Sequence, residues 1–136
     1  MQTARIFIVD DNELTRRLVR TMIEGQGLQV CAEAKGGREA VQMARALQPD
    51  LIILDLVMPD ISGLEAAREI LKAQPSVPIV INTLYGSEQV FSEAEKIGVR
   101  QVVSKTDYCS LMAAVRALLH SEGSGQSPIK DVPESD

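Results

Sequence analysis

Leu51-Ile52-Ile53-Leu54-Asp55 is the stretch that decides the fold: four aliphatic residues without a polar break, closed by a carboxylate. A strand with one wet face alternates apolar and polar side chains. An unbroken apolar run instead suits a strand covered on both faces, as in a parallel sheet between two helical layers. The same shape recurs outward from this point. Ile6-Phe7-Ile8-Val9 leads into Asp10 and Asp11, Ile79-Val80-Ile81 leads toward Thr83, and Val102-Val103 leads toward Lys105. Strands are predicted over 4–9, 28–33, 50–54, 78–82 and 100–103.

Helix-length segments with apolar spacings of three and four lie between these runs. Leu14, Leu18, Val19, Met22 and Ile23 make the first stripe, ended by Gly25. Ala40, Val41, Ala44 and Leu47 make the second, opened after Gly36-Gly37 and stopped by Pro49. Leu64, Ala67, Ile70 and Leu71 make the third, with Ser62 and Glu65 spaced as a capping box. Val90, Phe91 and Ala94 mark a shorter fourth helix. Leu111, Met112, Val115, Leu118 and Leu119 form the fifth, with Asp107 as its N-cap. Strict strand–helix alternation predicts an α/β fold: a flavodoxin-like, doubly wound, five-stranded parallel sheet of order 2-1-3-4-5 with five helices. The switch point then falls between strands 1 and 3, where Asp10, Asp11 and Asp55 end their strands. Open α/β sheets bind ligands in that crevice.

Composition sets the outer limits. The 136 residues suit one domain, and 45% are hydrophobic. No Trp is present, so the core must be aliphatic. A net charge of −5 argues against direct nucleic-acid contact by this segment, which would need clustered Lys and Arg. Cys31 and Cys109 are far apart, without metal-ligand spacing, and Cys31 reads as a small buried hydrophobe. No run reaches the roughly 18 apolar residues of a membrane span, and the N-terminus lacks a leader-like apolar stretch. A reducing cytoplasm is the expected setting. The domain is predicted over 1–120, and the Ser-, Gly- and Pro-rich residues 121–136 read as a flexible tail or linker, as between one domain and another.

Singly, the polar strand ends have ordinary readings. An Asp after a strand is commonly a turn former or cap, Thr83 alone is an ordinary strand-end residue, and Lys105 alone is a solvated loop lysine. Asp60 reads as a turn residue. Jointly, five groups from four strands aimed at one crevice form a phosphoryl-transfer site. Three crowded carboxylates repel one another unless a hard cation such as Mg²⁺ joins them. The Val57 backbone carbonyl could add an oxygen ligand. Asp55 would then serve as nucleophile, forming an acyl phosphate. Lys105 and Thr83 would cancel charge on the remaining phosphoryl oxygens.

Val9-Asp10-Asp11, Asp55 through Pro59 to Gly63, Thr83 and Lys105 together resemble the receiver domain of two-component response regulators, over about residues 4–120. The resemblance implies that Asp55 accepts a phosphoryl group from a sensor histidine kinase or a small phosphodonor. It also implies that Asp10, Asp11, Asp55 and the Val57 carbonyl bind Mg²⁺, and that Thr83 and Lys105 contact the phosphoryl group. Pro59 and Gly63 would shape the loop between. Asp10 to Leu14 and Lys105 to Leu111 are similar to receivers that precede a helix-turn-helix output domain. Transcriptional control, a partner protein or a homodimer through the helix 4–strand 5–helix 5 face would follow. The alternative is an atypical receiver that docks a protein without phosphorylation. A phosphatase with an Asp nucleophile would need a second Asp where Val57 stands.

Three positions depart from the family's pattern. Val102 replaces the aromatic switch residue three places before the Lys, and Tyr85 is the candidate substitute. Leu84 follows Thr83, where Ala or Gly is usual. With Val57 and Tyr85 it predicts an apolar rim that slows hydrolysis. Thr106 replaces the customary Pro after Lys105. A cis bond before Thr would cost about 2.5–4 kcal/mol, so a trans peptide and a shifted loop are expected.

Overall fold

A computed structural model describes residues 3–124. Five strands and five helices alternate: β1 Arg5–Val9, α1 Glu13–Gly25, β2 Gln29–Ala34, α2 Gly37–Leu47, β3 Leu51–Leu54, α3 Gly63–Ala73, β4 Ile79–Thr83, α4 Glu88–Ile97, β5 Gln101–Ser104 and α5 Tyr108–Ser124. The strands form one parallel sheet of order β2-β1-β3-β4-β5, as the alternation predicts. This is the flavodoxin-like arrangement. α5 carries the helix to Ser124, past the predicted domain end at residue 120. Residues 125–136 of the expected tail lie outside the described residues.

The unbroken apolar runs are explained by two cores. Phe7, Val9, Ile52, Leu54, Ile79 and Ile81 point to the layer made by α2, α3 and α4. Ile6, Ile8, Leu51, Ile53 and Val80 point the other way, toward α1 and α5. Successive strand residues alternate faces, so a strand with a core on each side has no polar position to spare. Burying one such side chain contributes about 1.5–3 kcal/mol.

Register sets what stands where at the C-terminal edge. Val9 pairs with Leu54 and the Asp55 N–H donates to the Val9 carbonyl at 2.9 Å, so Asp10 and Asp55 leave their strands side by side. Thr83 pairs with Ser104 and the Lys105 N–H donates to the Thr83 carbonyl at 3.0 Å.

Local signals hold with two amendments. Ser62 caps α3 by accepting from the Glu65 N–H at 3.1 Å, but the Glu65 carboxylate pairs with Arg68 at 2.9 Å. The expected capping box therefore closes on one side only. Cys31 is partly buried rather than buried, because β2 is an edge strand and its side chain only packs against the rim of the core. Asp107 caps α5 as predicted, accepting from the Ser110 N–H at 3.0 Å. Among the described residues no peptide bond is cis, so Lys105–Thr106 is trans as expected. Ser104 holds the turn, its hydroxyl 2.8 Å from that of Thr106.

Candidate functional site

The strand ends bring Asp10, Asp55 and Lys105 into direct contact. Lys105 Nζ lies 2.8 Å from Asp10 Oδ2 and 3.3 Å from Asp55 Oδ1, and all three side chains are largely buried. Asp11 is exposed at the mouth, and each of Asp10, Asp11 and Asp55 offers a carboxylate oxygen within 4.8 Å of the others. One ammonium thus faces three acids. Burial first, and then the charge of Asp10, raise the Asp55 carboxyl to about 6 against the pull of Lys105. Desolvation works against the Lys105 ammonium, but its hydrogen bond and charge contacts with Asp10 and Asp55 leave its pKa raised.

Neighbours fix the acids. The Asp10 N–H donates to the Ala34 carbonyl at 3.0 Å, and Asp10 Oδ1 accepts from the Asn12 N–H at 2.9 Å. Arg16 donates to the Asp10 carbonyl at 2.7 Å while paired with Glu33 at 2.9 Å. Glu33, despite desolvation, is held below the usual carboxylate range by Arg20 and Arg16. Behind Asp55, the Gly63 N–H donates to the Leu56 carbonyl at 2.7 Å. A Cβ on Gly63 would collide with the Asp55 carbonyl oxygen, so only glycine lets α3 start this close to the acid.

Thr83 is the last residue of β4 and is 2% exposed. Its Oγ1 accepts from the Tyr85 N–H at 3.0 Å, which leaves the hydroxyl proton to donate elsewhere. Val57, Leu84 and Tyr85 have exposed side chains near the mouth, at 52%, 59% and 63%. Tyr85 therefore does not occupy a buried switch position in this structure. Val102 is partly buried against the core of α2, α3 and α4, a packing role in place of a swinging ring.

Three residues of the site's surroundings were not singled out for these roles by the sequence reading. Arg16 anchors the Asp10 backbone. Asp60, expected as a simple turn former, accepts three backbone N–H groups. Asn82, beside Thr83, is 2% exposed and its side-chain oxygen has no hydrogen-bond partner among the described residues. Its signal was visible: a polar residue at a position of β4 whose neighbour on the same face, Val80, is core.

The donor set is chemically suited to a hard divalent cation. It consists of carboxylate oxygens, and burial together with the charge of Asp10 makes ionised Asp55 costly without a cation beside it.

A family model for the response regulator receiver domain matches residues 6–116. The chemotaxis protein CheY of Thermotoga maritima is 35% identical over 101 residues, which cover 74% of this chain and 84% of that protein. The transcriptional regulatory protein YdfI of Bacillus subtilis is 34% identical over 118 residues, covering 82% of this chain and only 55% of YdfI. Among solved structures, a LuxR-family two-component response regulator from Aurantimonas superposes with a TM-score of 0.84 at 34% identity, over 88% of this chain and 87% of that one. From the strand order to the clustered acids and the extent of the match, the chain belongs to the response regulator receiver domain family.

Proposed function

We propose that this domain receives a phosphoryl group on Asp55 and passes the change to an output. The carrying observation is Lys105 bridging Asp10 and Asp55 at the crevice, one strand from the Thr83 hydroxyl. The donor would be the phosphohistidine of a sensor kinase or a small acyl phosphate. An Asp55 carboxylate oxygen attacks phosphorus, the P–N bond to histidine breaks, and its electron pair leaves on the imidazole nitrogen. At pH 7 a carboxyl that titrates near 6 is mostly ionised, as a nucleophile must be. Lys105 is within reach of one phosphoryl oxygen, and the free Thr83 proton can meet another. Held by Asp10, Asp11, Asp55 and the Val57 carbonyl, Mg²⁺ would supply charge cancellation on the transferring group.

Phosphorylation adds about two negative charges. Thr83 and the backbone after it respond, which repositions the face of α4, β5 and α5 for an output domain, a partner or a second copy. Control of transcription in the cytoplasm is the favoured output, supported by the similarity to YdfI and to a LuxR-family regulator. Among the described residues no helix is long and apolar enough to cross a membrane. Val102, packed into the core without a ring, favours a second reading: docking without phosphorylation.

Intact mass after incubation with Mg²⁺ and acetyl phosphate separates the two. One added phosphoryl group, lost in Asp55→Asn, is expected. No adduct with any donor would favour docking.

A further inference from the structure

Asp60 caps a helix to which it does not belong. α2 opens at Gly36, which has no side chain to accept the first amide protons. The Gly37 and Arg38 N–H groups donate instead to Asp60 Oδ1 and Oδ2, each at 2.9 Å. Oδ1 also accepts from the Ile61 N–H at 2.8 Å. Hydrogen bonds donated by the Arg38, Gly37 and Ile61 backbone N–H groups lower this carboxyl to about 2, so it is charged throughout the physiological range.

The approach is built into both partners. A Cβ on Gly36 would sit 3.2 Å from Asp60 Oδ2, and one on Gly37 would press into the Ile61 side chain. Asp60 is also the outer anchor of the loop that leaves Asp55. The inner anchor is the Gly63 N–H on the Leu56 carbonyl, with Gly63 packed close to the Asp55 carbonyl, and Met58 is buried in the core on the α2, α3 and α4 side of the sheet. Val57 lies between these anchors.

We propose that Asp60 is a positioning residue for the acidic site: by tying the β3–α3 loop to the first turn of α2, it sets the placement of the Val57 carbonyl. This rests on the reading of the crevice as a Mg²⁺-dependent phosphoacceptor. Groups hydrogen-bonded to metal ligands commonly cost about 10–100-fold in metal affinity when removed, and Asp60, acting through the loop, is expected at the low end. The same tie makes α2 a listener, since displacement of the loop must pull on the Gly37 and Arg38 amides.

The test titrates magnesium chloride into the full chain, read by calorimetry and by amide resonances. Four proteins are compared: wild type, Asp60→Ala, Asp60→Asn and Ala44→Gly, the last loosening α2 without touching Asp60. Asp60→Ala is expected to weaken magnesium about tenfold. Asp60→Asn, which keeps one acceptor oxygen, should fall between and keeps the test available if the alanine variant does not fold. Ala44→Gly should bind as wild type does. In wild type, magnesium should shift the Gly37 and Arg38 resonances, and this response should vanish with Asp60→Ala. Wild-type affinity in both Asp60 variants, or an equal loss in Ala44→Gly, overturns the positioning role. A wild type that takes up no magnesium overturns the reading of the site itself.

Discussion

Replacing Asp55 with asparagine should make the metal-free protein more stable at neutral pH. The carboxyl is raised from 3.8 to about 6 by burial and by Asp10. The native state therefore holds its proton more tightly than the unfolded chain does. Stability from this group is full below about pH 4 and is lost as pH rises through 6. Two pKa units correspond to about 3 kcal/mol. Asparagine removes that charge, and the shift is already net of the attraction of Lys105. The expected gain is therefore about 3 kcal/mol above pH 6. At roughly 3–4 °C per kcal/mol for a domain of this size, the variant should melt about 10 °C higher. Thermal melts followed by circular dichroism from pH 4 to 8, with chelator present, read this directly. The gap should open between pH 4 and 6, vanish at the acid end, and narrow when Mg²⁺ is added, because the cation stabilises the wild type more. A variant that melts lower at pH 7, or a gap indifferent to pH, would refute the electrostatic account.

Other outcomes can be checked separately. Gly63→Ala should lose about 2–3 kcal/mol in urea denaturation, since its Cβ must displace the Asp55 carbonyl; wild-type stability would show that the loop gives way freely. Asn82→Val should gain about 1 kcal/mol in the same assay, as an unpaired buried oxygen is removed; a loss would mean that the amide has a partner after all. The phosphorylated form should survive for minutes or longer, because Val57, Leu84 and Tyr85, in the loops after β3 and β4, present bulky exposed side chains. Phosphate release with Mg²⁺ present measures this, and a half-life of seconds would contradict it.

The architecture was legible because its evidence is short-range. A β-rich run buried on both faces announces itself by lacking polar residues, and the polar residues that close four of the runs mark one edge of the sheet as the candidate site. The five candidate positions were read from those strand ends, and the structure gathers Asp10, Asp11, Asp55 and Lys105 there, with Thr83 one strand from Lys105. What escaped depended on partners distant in the chain. Asp60 looks like any turn aspartate until α2, 22–23 residues earlier, is folded against it. Glu65 had the spacing of a capping box, yet Arg68 competes for its carboxylate on the helix surface. Cys31 sits in an apolar run, but whether a strand lies at the sheet's margin is a property of topology. Asn82 interrupts an apolar strand visibly, although the missing partner of its oxygen emerges only in three dimensions.

The strand order divides the crevice into unequal halves. β1 and β3 are interior strands, each flanked by two others, whereas β5, which leads into Lys105, has a single neighbour. The strands that lead into Asp10 and Asp55 are therefore held on both sides, while the strand that leads into their counterion is held on one. An incoming anion meets interior strands on one side and the sheet's edge on the other. On the proposed phosphoacceptor reading, the rearrangement would run outward through β4 and β5, giving the response a direction before any partner is present.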